Sequence, residues 1–159
     1  MNVLVVYYSK TGNTRKLAEQ VAEGVNSISG FEAVIKSTSE VTKEHFVTAA
    51  GVIAGSPVYF GILAADLKRI FDEFVGVRKQ MENKVGTAFA SSRFLAGGNE
   101  TTIMSIIQCM LCYGMMIVGD PMVATGHYGA VSVASPDEKA LDTATKLGAR
   151  VAALCKKLN

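Results

Sequence analysis

The sequence contains no tryptophan, only three prolines, three cysteines and two histidines, and 16 basic side chains stand against 14 acidic ones for a net charge of +2. That near-balance leaves no strongly basic face to advertise nucleic acid as a partner. The three cysteines cannot all pair with one another. No apolar run reaches the roughly 20 residues that span a bilayer, so no membrane association is expected. The most apolar stretch, Ile103 to Val118, is broken by Ser105, Gln108 and Gly114. The chain opens on a strand-like run with no basic segment ahead of a cleavable apolar stretch, which predicts no signal peptide and a cytoplasmic setting. Hydrophobic residues make up 49% and charged residues 19% of the 159, a composition for one globular domain over residues 1–159.

What is present is a regular alternation of strand and helix patterns. NVLVVYY is a continuous apolar, β-branched run with the length of a strand buried on both faces. In TRKLAEQVAEGVNSI, Leu17, Val21, Val25 and Ile28 recur at helical spacing with charges between them, and Gly30 stops the helix. FEAVIK reads as a strand, Glu44 to Ala50 as a short helix, GVIAGSPVYFG as strand and loop, and ADLKRIFDEFV as a helix. KVGTAFA is strand, SSRFLAGGNE loop, Thr101 to Tyr113 helix, and MMIVG with the following PMVA a fifth strand. Ser135 as N-cap, Pro136 at the first position, acidic Asp137 and Glu138 next and Lys156 and Lys157 at the end mark the last helix. Such alternation implies an α/β fold, a parallel sheet with helices on both faces, and ligands beyond the carboxyl ends of the strands.

The segment YYSKTGNT, residues 7–14, joins the first strand to the first helix. A helix start exposes unpaired N–H groups; Ser9, Thr11, Asn13 and Thr14 add short donors, and Gly12 lets the backbone come close to a ligand. This combination reads as a phosphate cradle. It lacks G-x-G-x-x-G and the G-K-[ST] pair, which disfavours a dinucleotide pyrophosphate and a Mg-nucleotide triphosphate and leaves a single terminal phosphate. The plainer alternative is an ordinary helix start capped by Asn13 or Thr14.

VVYYSKTGNTRKLAEQV resembles the FMN phosphate loop of flavodoxins. GSPVYFGILAADLKRIFDE and GGNETTIMSIIQCMLCYGMMIVG resemble segments of flavodoxin-like NAD(P)H:quinone oxidoreductases of the WrbA type. The resemblance covers nearly the whole chain and implies a flavodoxin-like, doubly wound, five-stranded parallel sheet of order 2-1-3-4-5. It also implies FMN as cofactor, with its phosphate at Ser9, Lys10, Thr11, Gly12, Asn13 and Thr14. The ring would lie between Pro57, Val58, Tyr59, Phe60 and Gly61 after the third strand and Ser91, Ser92, Arg93, Phe94, Leu95, Gly97 and Gly98 after the fourth. An isoalloxazine wants apolar walls and backbone groups along its polar edge. Tyr59, Phe60 and Phe94 can be walls, and the serines and glycines let backbone reach the edge. Phe60 could equally plug the sheet end.

Two activities follow from the resemblance: electron transfer between redox partner proteins, and reduction of quinones by NAD(P)H. A regulatory FMN-binding module is a third. This chain departs from the quinone reductases where Cys112 and Tyr113 stand in place of a His-His pair, where Tyr59 stands in place of an Arg, and where GVRKQMENK replaces a Trp-bearing insertion. These departures favour the electron carrier. Lys68, Arg69, Arg78, Lys79 and Lys84 could dock an acidic partner or steer a nicotinamide phosphate; a solvated helix face is the commoner meaning of such a run. Cys109 and Cys112 are spaced as a redox pair or half a metal site, but with no second ligand cluster they read better as two small buried residues, and no metal is expected. His45 is expected at the surface, and His127 is a candidate for the flavin edge. The methionine-rich fourth helix would favour a homo-oligomer.

Overall fold

A computed structural model describes residues 1–158. In chain order it contains β1 (Asn2–Tyr7), α1 (Asn13–Asn26), β2 (Glu32–Ser37), α2 (Lys43–Thr48), β3 (Gly51–Pro57), α3 (Ala65–Glu73), a 3-10 turn (Val75–Met81), β4 (Val85–Ser92), α4 (Asn99–Cys112), β5 (Met116–Ile117), β6 (Ala130–Val133) and α5 (Glu138–Leu158). The strands pair in parallel in the order β2-β1-β3-β4-β5, with β6 also on β4. This is the flavodoxin-like order, and its switch point falls at β1, whose two neighbours are β2 and β3.

The alternation along β1 explains its unbroken apolar run. Val3 and Val5 face one layer with Leu17, Val21, Leu147 and Val151 of α1 and α5, while Leu4 and Val6 face the other with Leu67, Ile70, Ile103 and Ile106 of α3 and α4. Both faces of the sheet are therefore covered, and no position on the strand can be polar without a partner. Phe46 anchors the second layer, edge-on to Phe71 and Phe74, with Tyr113 completing the cluster.

Five expectations are corrected. The fifth strand is not continuous through PMVA: β5 pairs with Val85 and Gly86, the chain leaves the sheet after Val118, whose N–H still donates to Gly86 O at 3.0 Å, and β6 returns to pair with Phe89 to Ser92. Ala124 N–H closes a turn on Pro121 O at 2.8 Å instead of bonding to a strand, and Pro121 has no N–H to offer a ladder. The last helix starts later than Ser135. Asp137 is the residue that caps it, its Oδ1 accepting from Ala140 N–H at 2.8 Å and its carbonyl from Leu141 N–H at 3.0 Å. The fourth helix starts two residues earlier than Thr101, at Asn99, and Ser91 and Ser92 belong to β4 rather than to the loop. Cys112 is exposed and Cys109 half-buried, so they are not a buried pair.

Candidate functional site

The carboxyl ends of β1, β3 and β4 bring three loops around one cleft of about 620 Å³, lined by Lys10, Thr11, Asn13, Thr14, Pro57, Val58, Tyr59, Ser91, Ser92, Arg93 and Ala134. Its only charged lining residues are the cations Lys10 and Arg93. Such a cleft favours an anionic group.

The first loop is shaped by Gly12. Its φ of 95° lies in the left-handed region, and a Cβ placed there would meet no atom within 4 Å. Conformation, not crowding, thus asks for glycine, and the space beside the helix start stays open. Ser9 Oγ accepts from Gly12 N–H at 3.1 Å and Arg15 N–H at 3.3 Å. The amides of Thr11, Asn13 and Thr14 make no bond to another described residue, which leaves them for an anion. Neither Asn13 nor Thr14 caps α1: the cap position is Gly12, and the side chain that reaches the first turn is that of Ser9. The cap of the plainer reading thus falls on other residues than Asn13 or Thr14. Instead Thr14 is buried, and its Oγ1 lies 2.8 Å from Ser91 Oγ at the end of β4.

The second loop turns tightly. Tyr59 and Ile62 exchange two backbone hydrogen bonds of 3.2 Å, with Phe60 (φ 53°) and Gly61 (φ 80°) at the tip. Positive φ at both central residues is the type I′ geometry, in which Asn-Gly is preferred. Phe60 accepts that strain while its ring is fully exposed, so it does not plug the sheet end. Tyr59 stands edge-on to Tyr8, ring centres 6.2 Å apart, and burial pushes its hydroxyl pKa up.

The third loop is held internally at Phe94 O, which accepts from Ser92 Oγ at 2.9 Å and from Gly97 N–H at 3.1 Å. Phe94 and Leu95 are largely exposed, and the Arg93 guanidinium sits 5.3 Å from the Phe94 ring centre. Gly98 (φ 104°) touches the second loop: a Cβ there would stand 3.1 Å from Gly61 Cα and 3.2 Å from Thr101 Oγ1. The last two loops thus meet glycine against glycine. The structure brings Lys10, Thr11, Asn13, Thr14, Pro57, Val58, Tyr59, Ser91, Ser92 and Arg93 to the cleft wall; Phe60, Gly61, Phe94, Leu95, Gly97 and Gly98 lie outside its lining, and Ser9 and Gly12 line a neighbouring cleft that shares Lys10 and Thr11 with it.

Sequence reasoning missed Ala134 in the lining and Asn99 behind it. Asn99 is buried, and its Nδ2 donates to Ser92 Oγ at 3.0 Å and to Ser132 O at 3.2 Å. Its position as the first residue of α4 after two glycines was the available signal. Other candidates lie elsewhere. His127 is exposed in the 118–129 segment, close enough to Asp120 for its charge to be felt. His45 closes a capping box with Thr42 at the start of α2. Lys68 and Arg69 are tied to Asp72 and Glu73, and Lys84 reaches inward to the carbonyls of Phe46 and Val47. Burial lowers the Lys84 pKa, and only Arg78 and Lys79 of that basic run remain exposed without a pair. Tyr113 lies in the core, its hydroxyl donating to Phe71 O at 2.5 Å, with burial pushing its pKa to about 12. No group of three or more metal-ligating side chains exists among the described residues, and no described helix is long and apolar enough to cross a membrane.

Comparison with known proteins shows the family. A family model described as NADPH-dependent FMN reductase matches residues 29–130. A flavodoxin of Aquifex aeolicus is 38% identical over 156 aligned residues, covering 94% of this chain and 84% of the relative. An NAD(P)H dehydrogenase (quinone) of Archaeoglobus fulgidus is 32% identical, covering 98% of each, but its alignment runs over 188 positions against the 159 residues here, so it carries segments this chain lacks. A crystal structure of a WrbA-like flavodoxin from Agrobacterium tumefaciens superposes with a TM-score of 0.84 over 99% of each chain at 24% identity, which shows the shared fold. With the family match over more than half its length and the flavodoxin match along almost all of it, the chain belongs to the flavodoxin-like NADPH-dependent FMN reductase family.

Proposed function

We propose that the three-loop cleft holds FMN and that the whole chain, residues 1–159, acts as a one-domain carrier passing electrons between redox partner proteins in the cytoplasm. The observation that carries the cofactor reading is the hydrogen bond between Thr14 and Ser91, which joins the anion cradle to the wall of the same cleft. The residues fit the cofactor. The unpaired amides of Thr11, Asn13 and Thr14 would hold the phosphate, with Lys10 adding charge. Pro57, Val58 and Tyr59 offer an apolar wall to a flat ring, and the backbone after Ser91 and Ser92 lies where the ring's polar edge would reach. Of the hydrogens on the Thr14 and Ser91 hydroxyls, one is shared between them, so the pair offers one donor to the cleft.

When bound, FMN supplies the one- and two-electron chemistry of its ring. The chain sets the conditions for it. Arg93 at the cleft wall favours added negative charge, and the exposed rim of Phe60, Phe94 and Leu95 keeps the site open to a large partner. Two findings favour the carrier over a quinone reductase. The flavodoxin is the more similar of the two in sequence, 38% identical against 32%, and Tyr113, at the position where a pocket histidine would be sought, is committed to this chain's own core. NAD(P)H and a quinone are the alternative partners, favoured by that relative's match along almost the whole chain. Exposed Met104, Leu111 and Cys112 on α4 would suit a second copy of the chain.

Equilibrium titration with FMN and riboflavin tests the cofactor reading. Two charge-assisted bonds to the phosphate should give FMN an advantage of roughly 100-fold. Equal affinities would remove the cradle assignment.

A further inference from the structure

We propose that Asn99 is a positioning residue that acts through Ser92 to hold the 93–98 loop against the cleft, a role that rests on reading the cleft as a flavin site. Asn99 is 6% exposed and stands where α4, β4 and β6 meet. Its Nδ2 donates to Ser132 O at 3.2 Å, and since a carbonyl can only accept, that contact fixes which end of the amide is which. The other Nδ2 hydrogen goes to Ser92 Oγ at 3.0 Å. Having accepted that bond, Ser92 turns its one hydroxyl hydrogen to Phe94 O at 2.9 Å, and the same carbonyl accepts from Gly97 N–H at 3.1 Å. Phe94 O, with both lone pairs engaged, is the pinned point of a loop whose other residues, Arg93 to Gly97, lie exposed.

By donating to Ser92 Oγ, Asn99 leaves that hydroxyl its own hydrogen for Phe94 O. Ser92 lines the cleft, yet its hydrogen is committed to the loop, so the edge of a bound ring meets loop backbone and not this hydroxyl. Asn99 Oδ1, in contrast, is buried without a partner. A buried amide with one end unsatisfied costs stability, which singles out what its nitrogen does as the reason for having it there. An apolar residue at this first helical position would pack without that cost but would leave Ser92 free to turn into the cleft and Phe94 O with the Gly97 bond alone.

Asn99→Asp is close to isosteric and reverses the logic. A carboxylate can only accept, so it takes the Ser92 hydrogen away from Phe94 O and faces Ser132 O with no proton between them. The experiment measures affinity for FMN and riboflavin in the wild type, Asn99→Asp, Ser92→Ala and the double variant, with thermal unfolding alongside. The expected result is a loss of roughly 10-fold for both ligands in Asn99→Asp, leaving the preference for FMN unchanged because the phosphate loop is untouched. Ser92→Ala should give a similar loss, and the double variant should be no worse than the weaker single one. A changed visible circular dichroism of the bound flavin should accompany it. Wild-type affinity in Asn99→Asp, a loss confined to FMN, or additive losses in the double variant would each overturn the role. If Asn99→Asp does not fold, Asn99→Ser takes its place in the same cycle under the same criteria. Failure of the wild type to bind either flavin would overturn the site reading itself, and this role with it.

Discussion

Thr14 Oγ1 and Ser91 Oγ lie 2.8 Å apart in a buried contact although 77 positions separate them in the chain. The bond crosses from the first turn of α1 to the end of β4, so the loop that would read the phosphate and the strand that would present the ring edge share one hydroxyl pair. Thr14→Val keeps the volume and removes the hydroxyl. It is expected to weaken FMN binding by roughly 5- to 30-fold, the cost of about 1–2 kcal/mol for a buried polar partner left unpaired. Ser91→Ala should do the same, and the double variant should cost little more than either one, a non-additivity that fluorescence titration would measure directly.

Phe60 carries a positive φ at the tip of a tight turn with its ring in solvent. Phe60→Asn places a residue suited to that geometry and gives up no buried area, so it should stabilise the fold by about 0.5–1 kcal/mol. Chemical denaturation of the flavin-free protein would check this. The same variant should weaken flavin binding if Phe60 folds over the ring as a wall, which separates the side chain's cost to the fold from its use in the site.

Asp120 is 6% exposed, and neither carboxylate oxygen has a hydrogen-bond partner. Burial raises its pKa from 3.8 to about 6, against the opposing pull of Arg150 and His127. The Arg150 guanidinium donates to the Asp120 backbone carbonyl rather than to the carboxylate. Because the native pKa lies above the unfolded value, the native state binds the proton more tightly. The associated stability is present below about pH 4 and lost as pH rises through about 6, a loss of order 3 kcal/mol. Asp120→Asn should remove this dependence. Unfolding curves for both proteins between about pH 4 and 7 should show the wild type losing ground to the variant as pH increases; parallel curves would contradict the burial of an unpaired acid.

Much of this arrangement is legible in the sequence because it follows from short-range rules. The apolar run of β1 needs two covered faces, and the spacing of Leu17, Val21 and Val25 needs one. What could not be read depends on contacts between distant segments. Ser91 and Ser92 look like loop residues until β3 is seen to pair as far as Ser91 and β6 as far as Ser92. Ser135 precedes Pro136 as an N-cap would, but the helix waits for Asp137. Cys112 shares a helix with buried Met110 and still faces solvent, because the phase of α4 is set by Ile103, Ile106 and Met110 in the core. Asn99 had no local signal beyond two glycines, since its partners come from β4 and β6.

The central claim, that this chain is a carrier and not a quinone reductase, is tested most directly by anaerobic reduction of the FMN-loaded protein. The Gly61 peptide, with positive φ in the turn beside the cleft, is free to present its carbonyl or its N–H to a ring nitrogen that gains a proton, which favours stepwise one-electron reduction. Titration with dithionite should therefore show a long-wavelength absorbance that rises and then falls as electrons are added, and NADH or NADPH alone should reduce the flavin slowly or not at all. Rapid reduction by a nicotinamide, steady turnover with a benzoquinone and no intermediate absorbance would contradict the account and assign the chain to the quinone reductases.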